Sequence, residues 1–399
     1  MNHKKGSSLP TILVGFYSNP EHVSPLIDSI EILAKDFKVL VVARNIGTFS
    51  YKYPKNVSLY VVGPRCEIIE QFSFPIYKKI CGYFLFILKL FNLLRRECIS
   101  ILFLYDLHAF LAGYIANKIS RNVPIFYHQS VTSLSKELLK SRCIYWMKYL
   151  EFFFCRSVSV LSFPDPYIAK LFLEDAALNK NNRKVIIVEN CPKRIEQLPK
   201  PAFQMQRLKD RGNRIVLHRG PLKGTNITEV IRSIKYWPQN VILVLVGFYP
   251  TDPVDMYKNI ANEENAYNKI IFVPYLPSRE ELLEFMVIAD LGLVIYKIVD
   301  LNHKYMGPTK LYDYLALGIP VLAPKEMSFI SGLVRELGVG LIYDRPTPEI
   351  IVKIIFELLE HPDRHKTSQK ARQIHLSRLN YETQFQPVMD EIRTLLIKK

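Results

Sequence analysis

Short unbroken apolar runs rich in Val and Ile alternate with segments of helical period along nearly the whole chain. PTILVGFYS, following Leu9, reads as a buried strand, HVSPLIDSIEILAKDF as an amphipathic helix and KVLVVARN as a second strand. The same alternation recurs at ISILFLYD, LHAFLAGYIANKIS, VPIFYHQS, SVSVLSFP and KVIIVEN. Continuous apolar strands separated by helical segments predict a parallel sheet joined by crossover helices, so residues 1–190 form one doubly wound α/β domain. Residues 191–212, with three prolines, many charges and no clear period, read as a connector. A second alternating set fills residues 213–379: RIVLHRG, ITEVIRSIKYW, VILVLVGF, a helix near AYNK, IIFVPYLP, REELLEFMVIA, LGLVIY, TKLYDYLALG, IPVLAP, VGLIYD and PEIIVKIIFELLE. Residues 380–399 add an amphipathic helix, expected to return to the first domain. Two Rossmann-like domains in tandem are the result.

Length agrees, since 399 residues exceed one typical core. Hydrophobic residues at 49% and charged residues at 23% exclude a disordered or collagen-like chain. Lys and Arg outnumber Asp and Glu by 53 to 37, a formal charge of +16 that favours anionic partners. The six cysteines are dispersed, with no C-x-x-C pair, and read as reduced thiols of a cytoplasmic protein. The start MNHKKGSSLP lacks the long apolar core of a signal peptide, and CGYFLFILKLFNLL, interrupted by Lys89 and Asn92, is too short to span a bilayer. YKKICGYFLFILKLFNLLRR from Tyr77 and SKELLKSRCIYWMKYLEFFFCR from Ser135 interleave cations with large apolar residues. That pattern suits helices lying on an anionic membrane surface, at the inner face of the cell membrane, and equally helices packed on a sheet with their cations in water. No nucleic-acid module accompanies it, so no nucleic-acid partner is expected.

The chemistry concentrates in GPTKLYDYLALGIPVLAP, residues 307–324. Gly307, Pro308, Thr309 and Lys310 precede a helix running to about Leu317, stopped by Gly318 and followed by the strand Ile319 to Ala323. A helix start offers free N–H groups and a positive dipole end, and Lys310 adds a full charge, so the segment can hold phosphate oxygens. The other reading is a helix capped by Thr309 with Lys310 in solvent. The chain has no Asp-x-Asp, so a metal-bridged diphosphate has no candidate ligands and no metal is expected. G-x-G-x-x-G and G-x-x-x-x-G-K-[ST] are missing too, against dehydrogenase and P-loop chemistry.

PTKLYDYLALGIPVLA resembles the nucleotide-sugar site of the group-1 glycosyltransferases, a retaining family with the GT-B fold. RIVLHRGPLKGTNI resembles the first strand and phosphate loop of that family's C-terminal domain, VILVLVGF its second strand, and VPYLPSREELLEFMVIADLGLVIY its base-binding loop with the helix and strand after it. The likeness covers about residues 213–345. It implies two Rossmann-like domains facing across a cleft, and transfer of a sugar from a nucleoside diphosphate sugar to a hydroxyl of a glycan or lipid-linked glycan. That donor would be the co-substrate, with no further cofactor. By the same resemblance Lys310, Lys223 and Thr309 would hold the donor diphosphate, with Arg219 as a third candidate cation. Asp313 would accept ribose hydroxyls, and Pro274, Tyr275 and Leu276 would form the base-binding loop. The first Glu of the family's Glu-x7-Glu motif falls at Tyr305, a departure that leaves Asn302, His303 and the backbone of Met306 and Gly307 as stand-ins near the sugar. In the first domain Gly15 precedes a loop that borders the diphosphate in the family, or simply serves a turn. His128 would face the sugar as a catalytic group, and Asp106 and His108 would line the acceptor side. Two rivals stand beside this reading: a non-hydrolysing sugar-nucleotide epimerase, and a catalytically degenerate GT-B scaffold favoured by Tyr305.

Overall fold

The computed structural model describes residues 9–67, 70, 73–129, 142–179, 183–276 and 278–397. The chain divides into two compact units, Met1–Glu189 with Gln384–Lys399, and Asn190–Thr383.

The first unit is built on seven parallel strands: β1 (Thr11–Phe16), β2 (Lys38–Ile46), β3 (Val57–Cys66), β4 (Ile99–Tyr105), β5 (Ile125–His128), β6 (Val160–Phe163) and β7 (Lys184–Ile187). Their order is β3-β2-β1-β4-β5-β6-β7, which places a topological switch point between β1 and β4. Every residue of β1 is buried, as its apolar run requires. The sequence pattern misses β3, because VSLYVVGPRC is a half-exposed edge strand with Gly63 and Pro64 inside it. An edge position tolerates both residues. The helix Tyr381–Ile397 joins this unit from Gln384 onward. Phe385 is buried with its ring 6.3 Å from that of Phe103, and Arg393 and Glu391 pair with Asp36 and Lys184.

The second unit carries β8 (Arg214–Arg219), β9 (Val241–Phe248), β10 (Ile270–Pro274), β11 (Leu291–Leu293), β12 (Val321–Pro324) and β13 (Gly340–Tyr343). All are parallel, in the order β10-β9-β8-β11-β12-β13, with the switch point between β8 and β11. Alternate residues of β8 feed separate apolar clusters: Ile215 and Leu217 join one, Val216 the other. The helix foreseen near AYNK lies earlier, at Val254–Glu263, and Tyr267–Lys269 form only a 3-10 turn. Tyr257 and Ala261 are the buried positions of that helix, too sparse a stripe to stand out in sequence. The segment 191–212 is part of this unit: Cys191 and Met205 lie in its core, and Phe203–Asp210 is helical.

No helix among the described residues is long and apolar enough to cross a membrane. The helix Ile76–Arg96 buries Phe86, Leu90, Leu93 and Leu94 while leaving Ile76, Tyr77, Ile80 and Phe84 exposed. The helix Arg142–Phe154 similarly exposes Trp146, Tyr149 and Phe153. The part of the second basic segment at residues 135–141 lies outside the described residues.

Candidate functional site

The helix Thr309–Ala316 starts at the carboxyl edge of the second sheet, beside its switch point. Pro308 occupies the N-cap position and no side chain caps the first turn. Thr309 is therefore not the cap. Its Oγ1 accepts a hydrogen bond from Arg219 Nη2 at 2.9 Å. At the other end Leu317 and Gly318 terminate the helix, Gly318 at φ 71°, a conformation that favours glycine.

Lys310 is not in solvent. Its side chain is 3% exposed, and Nζ has no hydrogen-bond partner among the described residues. The ammonium instead lies over the Tyr296 ring, 4.4 Å from its centroid. Burial, then the nearby Arg219 charge, holds this amine well below the usual lysine range. His218, fully buried one residue before Arg219, is likewise held well below its ordinary value, first by burial and then by Lys310. Its Nε2 lies 3.2 Å from the Pro221 carbonyl, so it donates there and ties down the loop that follows β8.

Asp313, one turn along the helix, is 1% exposed. Arg219 binds one carboxylate oxygen and Arg279 the other. Burial disfavours the carboxylate, but the two guanidinium groups outweigh it and hold Asp313 below the usual carboxylate range. The ribose expected at Asp313 thus meets a carboxylate already engaged by two arginines. Tyr314 anchors the assembly from beneath, accepting from the Arg219 N–H at 3.1 Å and donating to the Leu217 carbonyl at 3.1 Å. Gly292 on β11 makes room for that ring, since a Cβ there would lie 2.5 Å from Tyr314.

Gly220 to Gly224 form the loop expected to cradle phosphate. The N–H groups of Leu222 and Lys223 donate to Asp252 Oδ1 at 3.1 and 2.7 Å, and Tyr249 N–H to Oδ2 at 2.8 Å. Two N–H groups of the loop are thereby committed to Asp252, and the Lys223 side chain extends into solvent. Lys297 N–H donates to the Gly224 carbonyl at 2.9 Å and Asn226 to that of Tyr296 at 3.0 Å, tying the loop to the segment after β11. A cavity of about 190 Å³ opens at this edge, lined by Asn226, Tyr296, Lys297, Glu326, Tyr343 and Asp344 among others.

Of the base-loop residues, Pro274 is the last residue of β10 and not part of a loop, and Tyr275 and Leu276 follow it. Pro274 and Tyr275 are exposed, Leu276 packs against the core, and the Tyr275 ring lies 6.0 Å from that of Tyr249 at 35°. Near the expected sugar position, Asp300 caps the short helix Leu301–Tyr305 and binds His303 Nδ1 at 2.7 Å. Asn302 Oδ1 is buried without a partner among the described residues, and Met306 N–H donates to the Asn302 carbonyl at 2.7 Å. Tyr305 is half-buried, with Lys304 over its ring. Gly307 has no room for a side chain, because a Cβ would meet the Tyr312 hydroxyl at 2.9 Å and Phe329 at 3.0 Å.

The first-unit residues are placed differently. Gly15 lies within β1, where a Cβ would meet Leu104 at 2.9 Å, so it serves close packing and not a turn. His128, 6% exposed at the end of β5, has Nδ1 3.0 Å from Ser162 Oγ and its ring 5.0 Å from that of Tyr105. Burial pushes its pKa down to about 4, so the ring is neutral at physiological pH. Asp106 opens the helix Asp106–Ile119 at φ 61°, a left-handed conformation costly for a residue with a Cβ. His108, two residues on, is exposed and stacks on Tyr17.

Sequence reading missed Arg279, Tyr296, Asp252 and His218. Arg279 and Tyr296 lie inside the stretch that resembles the base-binding loop, but no spacing rule marks either one. Their roles arise from side chains meeting across separate loops.

No protein-family profile and no curated protein matches the sequence. Solved structures do. Anabaena HepE in complex with UDP aligns with TM-score 0.71 and 16% identity over 97% of this chain and 100% of that one. The UDP-forming α,α-trehalose-phosphate synthase from Burkholderia xenovorans aligns with TM-score 0.69 and 14% identity over 97% and 99%. WaaG, a glycosyltransferase involved in lipopolysaccharide biosynthesis, aligns with TM-score 0.63 and 13% identity over 96% and 99%. At these identities the likeness establishes the fold, two parallel-sheet Rossmann-like units of the GT-B kind.

Proposed function

We propose that the protein is a glycosyltransferase that takes a sugar from a uridine diphosphate sugar and passes it to a hydroxyl of a glycan or lipid-linked glycan. The observation that carries this reading is the Lys310 ammonium, buried at the start of the helix Thr309–Ala316 with no acceptor among the described residues. A buried cation is costly without a partner, and a diphosphate oxygen supplies one. The solved complex of HepE with UDP, on the same fold, supports the choice of nucleotide.

In this reading Lys310 and Lys223 neutralise the diphosphate, and the uncapped first turn at Thr309 adds backbone N–H donors. Arg219 and Arg279 keep the neighbourhood positive, with Asp313 as their shared counter-ion. The exposed Tyr249 and Tyr275 rings offer faces for the base. Transfer breaks the bond from the anomeric carbon to the diphosphate oxygen and forms one from that carbon to the acceptor oxygen. The acceptor proton passes to the departing phosphate, so the configuration is retained on one face and no protein nucleophile is needed. Charge building on the leaving group is where the lysines act. The apolar faces of the helices Ile76–Arg96 and Arg142–Phe154, with the net positive charge, suit a peripheral site on an anionic membrane that carries a lipid-linked acceptor.

Calorimetry with UDP and UMP on the wild type and on Lys310→Ala tests the reading. The wild type should prefer the diphosphate and the variant should lose that preference. Equal affinities for UDP and UMP in the wild type would remove the donor assignment.

A further inference from the structure

We propose that the first unit binds a phosphoryl group of the acceptor at Arg44, in the crevice at the switch point of its seven-stranded sheet. The inference rests on the reading of this unit as the acceptor side and adds a substrate class to it. Residues following β1 and β4, the two strands flanking the switch point, meet there: the rings of Tyr17 and His108 stack with centroids 5.9 Å apart and planes 26° apart. The adjacent β2 supplies Arg44, whose guanidinium carbon lies 5.2 Å from the Tyr17 ring centroid and 5.9 Å from that of Phe74. Arg44 Nη2 is buried and has no hydrogen-bond partner among the described residues.

The surroundings favour an anion. Lys78 lies over the same Phe74 ring at 5.5 Å, a second cation packed on the ring that Arg44 also meets. Tyr17 donates to the Lys79 carbonyl at 3.3 Å and Tyr83 to the His108 carbonyl at 3.0 Å, so both tyrosines are fixed by backbone and frame the crevice. His108 is exposed and leaves the crevice open to solvent. Burial, and then the Arg44 charge, lowers its pKa from the ordinary histidine value, so its ring reports on the charge at Arg44. A guanidinium N–H with no acceptor is satisfied by a phosphoryl oxygen through a charge-assisted bond, and the planar fork of arginine matches phosphate geometry. Phosphate enters such a crevice on a soluble sugar phosphate or on a lipid chain. The exposed Ile76, Tyr77 and Ile80 on the helix that carries Lys78 make a lipid chain a defined arm of the test.

The test uses the full-length protein with isotope-labelled histidines, titrated with inorganic phosphate, glucose 1-phosphate, dodecyl phosphate below its micelle concentration, and glucose. The His108 ring signal, assigned by its loss in His108→Gln, should shift saturably with the phosphoryl compounds and not with glucose. Its pKa should rise as the bound anion offsets Arg44. Arg44→Gln should weaken binding by about tenfold or more, the effect of losing a hydrogen bond to a charged group. Tighter binding of dodecyl phosphate than of glucose 1-phosphate assigns the site to a lipid-linked phosphate, and comparable binding assigns it to a sugar phosphate. No saturable His108 shift with any phosphoryl compound, or an unchanged affinity in Arg44→Gln, overturns the proposal. Arg44→Lys, which keeps the charge, and thermal melts of both variants separate lost binding from lost folding. UDP binding is measured in parallel: UDP binding with no His108 response to any of the phosphoryl probes removes this site and leaves the donor reading intact, and a His108 response to those probes without UDP binding does the reverse.

Discussion

The Lys310 ammonium sits 4.4 Å from the centroid of the Tyr296 ring and has no hydrogen-bond partner among the described residues. An aromatic face stabilises a cation less than a carboxylate would, so burial disfavours the charged form of this side chain in the free protein. Lys310→Met keeps the length of the side chain and removes the cation. The expected outcome is a more stable protein, by about 1–3 kcal/mol in urea unfolding, with weakened UDP binding. Lower stability together with unchanged UDP affinity would contradict a site built for an absent anion.

Proton uptake should accompany UDP binding. Lys310 is held well below the usual lysine range in the free protein, and a bound diphosphate raises its pKa again. The bound state therefore holds more protons, and affinity is highest below the free-state pKa and falls as pH rises through it. Above about pH 7 the terminal phosphate is already ionised and does not mask the effect. Calorimetry in two buffers of different ionisation enthalpy should show uptake in the wild type and none in Lys310→Met.

Asp313 is the shared counter-ion of Arg219 and Arg279. Asp313→Asn leaves both guanidinium groups without it and should cost about 3–5 kcal/mol, the range for breaking a buried ion pair from one side. Its pKa is lowered in the folded protein, so its stabilisation is present above the unfolded carboxyl value and is lost as pH falls through the folded one. Acid unfolding below about pH 4 should thus be steeper in the wild type than in Asp313→Asn. Parallel acid limbs would rule out this ionic role.

Tyr305 stands where the resembling family has a sugar-contacting Glu. Tyr305→Glu should change the order of preference in a panel of uridine diphosphate sugars while leaving UDP affinity within about threefold, a difference under 1 kcal/mol. Donor hydrolysis assays and UDP calorimetry read the two effects separately. An unaltered sugar preference would place the sugar away from this helix.

The exposed apolar face of the helix Ile76–Arg96 should bind anionic vesicles. Co-sedimentation should increase with phosphatidylglycerol content, fall with salt, and drop in the double variant Ile80→Asp/Phe84→Asp. Equal recovery with neutral and anionic vesicles would remove the electrostatic part of the docking.

Periodicity was enough for the repeated strand and helix order, because a parallel strand covered on both faces must be apolar throughout, as in β1 and the centre of β8. The edge strand β3 escaped notice because only one of its residues, Cys66, is buried. The helix Val254–Glu263 escaped because its buried stripe is short.

For the stretch 307–324, residue order alone was sufficient for a helix start rich in positive charge, a glycine stop and a buried strand, since these follow from local backbone geometry and apolar runs. What each side chain meets depends on the folded chain. Lys310 is buried against Tyr296, Thr309 receives Arg219 in place of capping its helix, and Asp313 is shared between arginines at the end of β8 and the start of the helix Arg279–Met286. Arg219 and Asp313 lie 94 residues apart in the chain, and Arg279 and Asp313 lie 34 apart. Spacing rules reach one or two helical turns. Folding of the sheet around its switch point brings these distant segments together, and burial there sets which charges are paired.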